Sequence, residues 1–458
     1  MKDLTKGNEA KLIFFFSLPM LIGNVFQQLY TTVDSIIVGK FIGKSALAAV
    51  GASFPVIFFM VALILGISMG STVLIAQYFG ARQMKKVQRT VETSLVFLFW
   101  ASLVITVLGL MFSGPILRLI RIPDDVFPQA RIYLNIIFSG MIFMFGYNAV
   151  SAILRGLGDS KTPLYYLIIA NVVNIILDLL LVVVFKWGIK GSAWATVIAQ
   201  ACSFMIAFIH LRRKHEIFQF KLTEMVFDKK IFILAFQIGF PSAIQQVLVA
   251  VGMMALVTIV NGFGVTAMAG FTAASRIDSF AAMPAMNLSM ALTTFTAQNL
   301  GAKMVHRVKK GFIATLVMSS LISAGITLFV VVFGWHLISV FTADQEVIRI
   351  GTRYLLIVGG FYILFSTMFV ANGLLRGAGQ TVIPMFSTIL ALWVIRIPLA
   401  ALLSRNMGTD GIWLGIPIAW FFGLALSLGY YFTGRWKKTK ALSHLEEEVL
   451  ELNQGGAV

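Results

Sequence analysis

The sequence predicts an all-α polytopic membrane protein with twelve transmembrane helices in two six-helix lobes, related by a pseudo-two-fold axis along the membrane normal. Three observations predict this fold: the composition, twelve long apolar stretches, and an internal repeat. The 458 residues are 59% hydrophobic and only 12% charged, and their mean hydropathy is +0.90. Because soluble globular proteins are about 25% charged, a soluble core could not accommodate this much apolar sequence.

Each membrane crossing needs about 20 mostly apolar residues. The first apolar stretch runs well past that length with no small-residue cleavage site, so we interpret it as a span rather than a signal peptide. The twelve expected spans are 12–37, 51–76, 91–113, 131–151, 163–185, 191–211, 231–258, 268–296, 311–334, 354–374, 384–404 and 411–433.

The connections between the spans differ in their basic content. About 24 Lys and Arg residues fall on one side of the membrane and about 10 on the other, and the richer side is the cytoplasmic one. Both termini are therefore expected in the cytoplasm. The same bias accounts for the net charge of +17 without a nucleic-acid partner.

The two halves of the chain resemble each other at a spacing of about 221 residues, which indicates an internal repeat. ILRGLGDSKTP (153–163) matches LLRGAGQTVIP (374–384), and QYFGARQMKKVQR (77–89) matches QNLGAKMVHRVKK (298–310). Six spans per repeat return the chain to its starting side. The halves therefore share one orientation, as in transporters built from parallel repeats.

The repeat predicts the domain organisation. We expect an N-terminal lobe at 1–211, a basic cytoplasmic linker at 212–230, and a C-terminal lobe at 231–458 that ends in a short cytoplasmic tail. Two similar lobes around a central cleft suit alternating access, whereas a channel is more often a ring of subunits.

Two carboxylates lie at membrane depth, both in the N-terminal lobe. Asp34 lies about 33 Å along the first helix and Asp178 about 22 Å along the fifth, at 1.5 Å per residue. A carboxylate at such a depth costs about 2.5–3.5 kcal/mol, which makes each one a functional-site hypothesis. At the repeat offset the C-terminal lobe carries Leu256 or Ala255 and Leu399 instead.

Polar neighbours share helical faces with these two acids, because residues three and four apart lie on one side of a helix. Thr196 falls at a similar depth on the sixth span. Oxygen ligands suit a hard cation and a buried carboxylate suits a proton, so a site for H⁺ or Na⁺ is expected. The alternative is a set of structural hydrogen bonds between helices. The two stripes are Gln27, Tyr30 and Asp34 on the first span and Asn171, Asn174 and Asp178 on the fifth.

The C-terminal lobe has a different set of ionisable residues. Arg276 and Asp278 are two residues apart, so they do not share a helical face, and Asp278 could pair with Arg396 or contact substrate directly. Flexible methionines suit promiscuous apolar ligands, although most methionines simply pack or face lipid. The candidate substrate-binding residues are Met253, Met283, Met286, Met290, Arg276 and Asp278.

No motif for enzyme chemistry is present. GLGDSKTP and GAGQTVIP lack the GxxxxGK[ST] spacing of a phosphate loop, and HExxH, CxxC and GxSxG are absent. The single cysteine, Cys202, excludes an internal disulfide. We therefore expect a non-enzyme with no cofactor, driven by an ion gradient rather than by ATP.

The chain resembles the multidrug and toxic compound extrusion (MATE) family, in its bacterial branch near the DNA-damage-inducible and staphylococcal multidrug exporters. The resemblance covers about residues 12–440. It rests on SLPMLIGNVFQQLYTTVDSIIVGKFIG, QYFGAR, LRGLGDSKTP and NVVNIILD in that order. It implies a V-shaped pair of lobes in the bacterial cytoplasmic membrane that exports organic cations in exchange for H⁺ or Na⁺, with a monomer expected.

The resemblance also implies roles for individual residues. Ser151 stands where relatives can carry asparagine, and Asn148 matches a polar position on the fourth span. Two other functions stay open: a lipid-linked precursor flippase of the same superfamily, and a non-transporting receptor or scaffold. The residues that match the family's N-lobe cation site, where Na⁺ would bind, are Asp34, Asn174, Asp178 and Thr196, with Tyr30 and Gln27 beside them.

Overall fold

The computed structural model describes residues 2–214 and 225–437, and every regular element in these ranges is a helix. Part of the expected linker, 215–224, and the tail from residue 438, which includes the acidic stretch HLEEEVLELN, lie outside the described residues. Helices are the expected element because a single chain segment in lipid must satisfy its own backbone hydrogen bonds.

The first half contains seven α-helices, and two of them continue as short π-helical segments. Val38–Ile42 follows the first helix and Leu179–Val184 follows the sixth. The α-helices are α1 (Glu9–Ile37), α2 (Lys44–Gly80), α3 (Met84–Leu119), α4 (Phe127–Ser139), α5 (Met141–Gly156), α6 (Lys161–Asp178) and α7 (Ile189–Lys214).

The second half contains eight α-helices, a π-helical segment at Ile389–Arg396 and a short 3₁₀ turn at Arg435–Lys437. The α-helices are α8 (Lys229–Asn261), α9 (Val265–Gly301), α10 (Val305–Ser339), α11 (Gln345–Gly359), α12 (Tyr362–Gly377), α13 (Val382–Thr388), α14 (Ile397–Met407) and α15 (Thr409–Phe432).

The predicted spans correspond to these helices. In the described ranges nine helices are long and apolar enough to cross a membrane, and eleven when each of two bent pairs counts as one span. The remaining expected span, 268–296, coincides with α9, which has 37 residues. Its polar side chains, Arg276 and Asp278 among them, lower its hydropathy. The twelve-helix prediction is confirmed.

Both halves contain the same break in one span. The helices α4 and α5 meet at 51°, and α11 and α12 meet at the same angle. The hydroxyl of Thr106 donates to the carbonyl of Phe138 at 3.0 Å beside the first break, and Thr327 donates to Gly359 at 2.6 Å beside the second. The repeat predicted from sequence is therefore also a repeat of structure.

The structure divides into two compact units. Among the described residues, the first contains Lys2, 18–75, 83–214 and 225–236, and the second contains 3–17, 76–82 and 237–437. Helices α1, α2 and α8 therefore each pass from one unit to the other.

Each unit has its own apolar core. In the first, the buried ring of Phe138 packs so closely on Gly109 that any added side chain would overlap it. In the second, the Trp413 indole stacks on the ring of Phe271 with centroids 5.4 Å apart. Close packing of this kind fixes the helices that carry the polar residues described next.

Candidate functional site

The carboxylates of Asp34 and Asp178 lie against each other in the first unit. Asp178 is fully buried and Asp34 is 7% exposed, and their side chains are within hydrogen-bonding reach. Two ionised carboxylates in contact repel strongly, so a proton or a cation between them stabilises the pair.

The local helix geometry presents both acids. Asp178 is the last residue of α6, and the π-helical segment Leu179–Val184 begins directly after it. Asp34 lies one turn before the π-helical segment Val38–Ile42 at the end of α1. Such π segments are rare and occur often at functional sites, because they turn side chains away from regular helical spacing.

Two neutral side chains hold the acids in place. The Ser192 hydroxyl donates to Asp34 Oδ1 at 3.2 Å. With its amide oriented to suit its neighbours, Asn174 donates to Asp178 Oδ2 at 2.8 Å and accepts from the Thr196 backbone N–H at 3.2 Å. Asp178 Oδ1 has no hydrogen-bond partner within the described ranges. A fully buried acceptor of this kind is available to a proton or a cation.

Two tyrosines enclose the pair. Tyr30 lies close to both carboxylates and to the Thr196 hydroxyl, as its position on the α1 stripe predicts. Tyr133 on α4 is buried and interacts electrostatically with the same two acids and with Tyr30. Sequence reasoning missed Tyr133, because neither the stripe on the first span nor the stripe on the fifth includes the helix that carries it.

Two other predicted residues make different contacts. The Asn148 side chain donates to the Met144 carbonyl of its own helix at 2.8 Å. Gln27 is half-buried, and its backbone carbonyl accepts from the Thr31 hydroxyl. In the part of the chain that the structure describes, no hydrogen bond joins Asn148 or Gln27 to the acid pair.

The second unit contains one carboxylate site of its own. The Tyr354 hydroxyl donates to Asp278 Oδ2 at 3.3 Å, and the buried Tyr362 hydroxyl lies near the same acid. Arg396 ends the π-helical segment Ile389–Arg396 and interacts with Asp278 electrostatically. Among the described residues no salt bridge joins Asp278 to Arg396.

The repeat relates the two carboxylate sites. Tyr133 and Tyr354 occupy equivalent positions in the two halves, at the spacing of about 221 residues. Tyr354 donates to Asp278, and Tyr133 interacts electrostatically with Asp34 and Asp178. The acids themselves lie on different helices. Searching the repeat for paired tyrosines is the sequence signal that would have found Tyr133.

The predicted methionines and Arg276 lie on α8 and α9 of the second unit. Arg396 Nη1 contacts the Met253 sulfur at 3.8 Å. Met283 and Met290 are half-buried, while Met286 and Arg276 are exposed. The structure therefore brings Met253 to Arg396, which interacts electrostatically with Asp278, whereas the other three methionines follow Asp278 along α9.

The oxygen-rich pair in the first unit also defines what could bind there. In the described residues no three or more His, Cys, Asp or Glu side chains gather in a way that could hold a transition metal. The oxygen-bearing groups present are two carboxylates, the Asn174 amide and the hydroxyls of Ser192, Thr196 and Tyr30, a set that suits H⁺ or Na⁺.

A family model described as MatE matches residues 19–180 and 241–402. Each match begins at a proline, Pro19 or Pro241, and the two ranges coincide with the two halves of the repeat.

Curated relatives match nearly the whole chain. The chain is 34% identical over 443 residues to the "Probable multidrug resistance protein YoeA" of Bacillus subtilis (strain 168), covering 95% of this chain and 96% of that one. It is 29% identical over 454 residues to the "Probable multidrug resistance protein NorM" of Thermotoga maritima, covering 96% of each.

Solved structures share the fold. One of them, titled "Outward-facing conformation of a multidrug resistance MATE family transporter of the MOP superfamily", superposes with a TM-score of 0.88 at 23% identity, over 98% of this chain and 99% of that one.

Proposed function

The chain belongs to the MatE family of membrane transporters, and from that premise we propose that it exchanges H⁺ or Na⁺ for organic, mostly cationic amphipathic compounds by alternating access. Members of this family are transporters rather than enzymes, and the bacterial relatives named as multidrug resistance proteins support a multidrug efflux transporter of the plasma membrane. The observation that carries the proposal is the buried contact between Asp34 and Asp178.

The ion acts by changing the energy of this contact. When a proton or Na⁺ occupies the pair, the charge repulsion disappears and α1 and α6 can stay together. When the ion leaves, the two carboxylates repel and favour a conformation that separates or hydrates them. An ion that binds one conformation more tightly shifts the equilibrium by that difference in affinity, which is the requirement for coupling.

Each neighbour has a distinct part in this step. Ser192 fixes the orientation of Asp34, and Asn174 fixes that of Asp178. Tyr30 and Tyr133 enclose the acids in the first unit, so the field between the carboxylates is screened little by solvent. Pro19 removes one backbone hydrogen bond from α1 and lets that helix bend in response.

The substrate site of this proposal is the Asp278 region of the second unit. Its carboxylate offers a counter-charge to an organic cation, and Met253 offers a deformable apolar contact. Arg276 and Arg396 favour a second candidate, export of an anionic amphiphile by a flippase-like protein, because Arg276 is exposed and Arg396 Nε has no partner in the described ranges. Two arginines alone offer little positive charge for binding a pyrophosphate group, so export of organic cations is the main proposal.

The test is transport of ethidium by the protein in proteoliposomes, with pH and sodium gradients imposed separately. Asp178→Asn keeps the size of the side chain and removes its charge, so we expect gradient-driven transport to fall at least about tenfold. Asp125→Asn makes the same change at an exposed loop position and is expected to transport normally. Full-rate transport by a well-expressed Asp178→Asn variant would exclude the coupling role.

A further inference from the structure

The first residues of the chain form a strap in the second unit. Leu4 is buried, with 1% of its surface exposed. Its backbone N–H donates to Gln298 Oε1 at 2.9 Å, and its carbonyl accepts from Asn299 Nδ2 at 3.2 Å. The strap, defined as Asp3–Glu9, is therefore hydrogen-bonded to the last turn of α9.

Two arginines hold the ends of the strap. Arg307 in the first turn of α10 contacts Glu9 Oε1 at 3.1 Å and donates to the Gly7 carbonyl at 2.8 Å. Its side chain is only 13% exposed, so this charge-assisted contact is partly shielded from water. Arg82, directly after α2, pairs with Asp3 at 2.5 Å in a more exposed setting.

The ends of α2 and α9 meet close to the strap. A Cβ added to Gly80 would lie 1.9 Å from the Gln298 carbonyl oxygen, and one added to Gly301 would lie 1.9 Å from the Gln77 carbonyl oxygen. Gly80 and Gly301 are repeat equivalents, so the contact is reciprocal. Only glycine permits backbones to approach so closely.

The strap connects both sides of this contact. It is bound to Arg82 next to the α2 end and to Gln298, Asn299 and Arg307 at the α9 end and the start of α10. The basic residues of these connections assign this end to the cytoplasm. A path that opens there between α2 and α9 must separate the glycines and also release the strap.

We propose that Asp3–Glu9 is a latch that keeps the cytoplasmic ends of α2 and α9 together and so sets the balance between the closed and open states of this end. The latch rests on the proposed alternating access. Glu9 and Arg307 are its main fastening, because that pair is better shielded than Asp3 and Arg82.

The experiment measures access to the covered face of α9. Thr294 is buried and lies one turn before Gln298, on the same helical face. In a Cys202→Ser background, Thr294→Cys is reacted with a maleimide in proteoliposomes. Glu9→Gln is expected to raise the labelling rate about fivefold, since loss of one shielded ionic contact shifts the closed–open equilibrium. Lys310→Ala, a change at an exposed lysine of α10, is expected to leave the rate unchanged.

Exchanging the two charges of the Glu9–Arg307 pair distinguishes loss of the latch from a general loss of protein stability. Glu9→Arg combined with Arg307→Glu reverses the pair and is expected to return labelling to within about twofold of the starting rate. Wild-type labelling in both Glu9→Gln and Arg307→Ala would overturn the latch. If Arg307→Ala does not fold, the labelling rate of Glu9→Gln alone decides whether the latch exists. Because labelling requires no transport, failure of the Asp178→Asn transport test would leave this result interpretable.

Discussion

Replacing Gly80 with alanine tests whether the close approach of α2 and α9 matters. The new Cβ would lie 1.9 Å from the Gln298 carbonyl oxygen. Ordinary contact needs about 3.4 Å, so the two backbones must separate by about 1.5 Å in a closely packed interior. Overpacking of this kind costs about 1–3 kcal/mol.

The separation also affects the strap. The strap is bound to α9 through the Leu4 N–H and Gln298 Oε1 and to the residue after α2 through Asp3 and Arg82, so separating the two helices by about 1.5 Å would strain or break one of these attachments. We therefore expect Gly80→Ala to destabilise the closed arrangement specifically. It should lower the unfolding temperature in detergent and raise maleimide labelling of the Thr294→Cys reporter.

Gly51 provides the matched control. It lies on the same helix, and a Cβ added there meets no atom within 4 Å. Gly51→Ala should be neutral or slightly stabilising, since alanine restricts the unfolded chain more than glycine does. If Gly80→Ala unfolds at the same temperature as Gly51→Ala and labels no faster, the steric argument is wrong.

Three further outcomes are expected. Ser192→Ala removes the hydroxyl that donates to Asp34 and should slow gradient-driven ethidium transport about threefold to tenfold in proteoliposomes, with little change in unfolding temperature. Burial alone would raise the pKa of Asp3, but hydrogen bonds within the strap and from Arg82 outweigh it and hold that pKa below 3.8. The Asp3–Arg82 contact therefore contributes fully above pH 3.8 and is lost as the pH falls through the lower pKa of Asp3 in the folded protein. Loss of this contact should raise labelling of the Thr294→Cys reporter only below about pH 4. Gly146→Ala would place a Cβ 2.5 Å from a phenylalanine ring of α7 and should lower the unfolding temperature, as a thermal melt would show.

The sequence predicts the spans and the repeat well because both are local properties. Apolar length decides whether a segment crosses a membrane, and equal spacing of matched segments reveals a repeat without any tertiary information. Asp34, Asp178 and Tyr30 could be selected for the same reason, because a polar group in an apolar helix is conspicuous. Asn174 and Thr196 follow from helical spacing and depth.

Other parts of the candidate site depend on tertiary contacts. Ser192 stands among small residues at the start of α7, and only the fold brings it to Asp34. Tyr133 lies on α4, and only the fold brings it near the acid pair. The strap has no periodic pattern at all, and its ionic partner Arg307 lies far away in the sequence. Contacts between distant segments of this kind leave no trace in local composition.

Helices α1, α2 and α8 pass between the units, and α1 and α2 differ in stiffness where they cross the boundary. The boundary in α1 falls between Ser17 and Leu18, beside Pro19, where the missing N–H makes a helix easy to bend. The boundary in α2 falls between Ile75 and Ala76, in a stretch with no proline or glycine between Gly70 and Gly80. The α1 boundary can therefore bend in response to a local change, whereas the α2 boundary lies in unbroken helix, 20 residues after the proline of α2, Pro55.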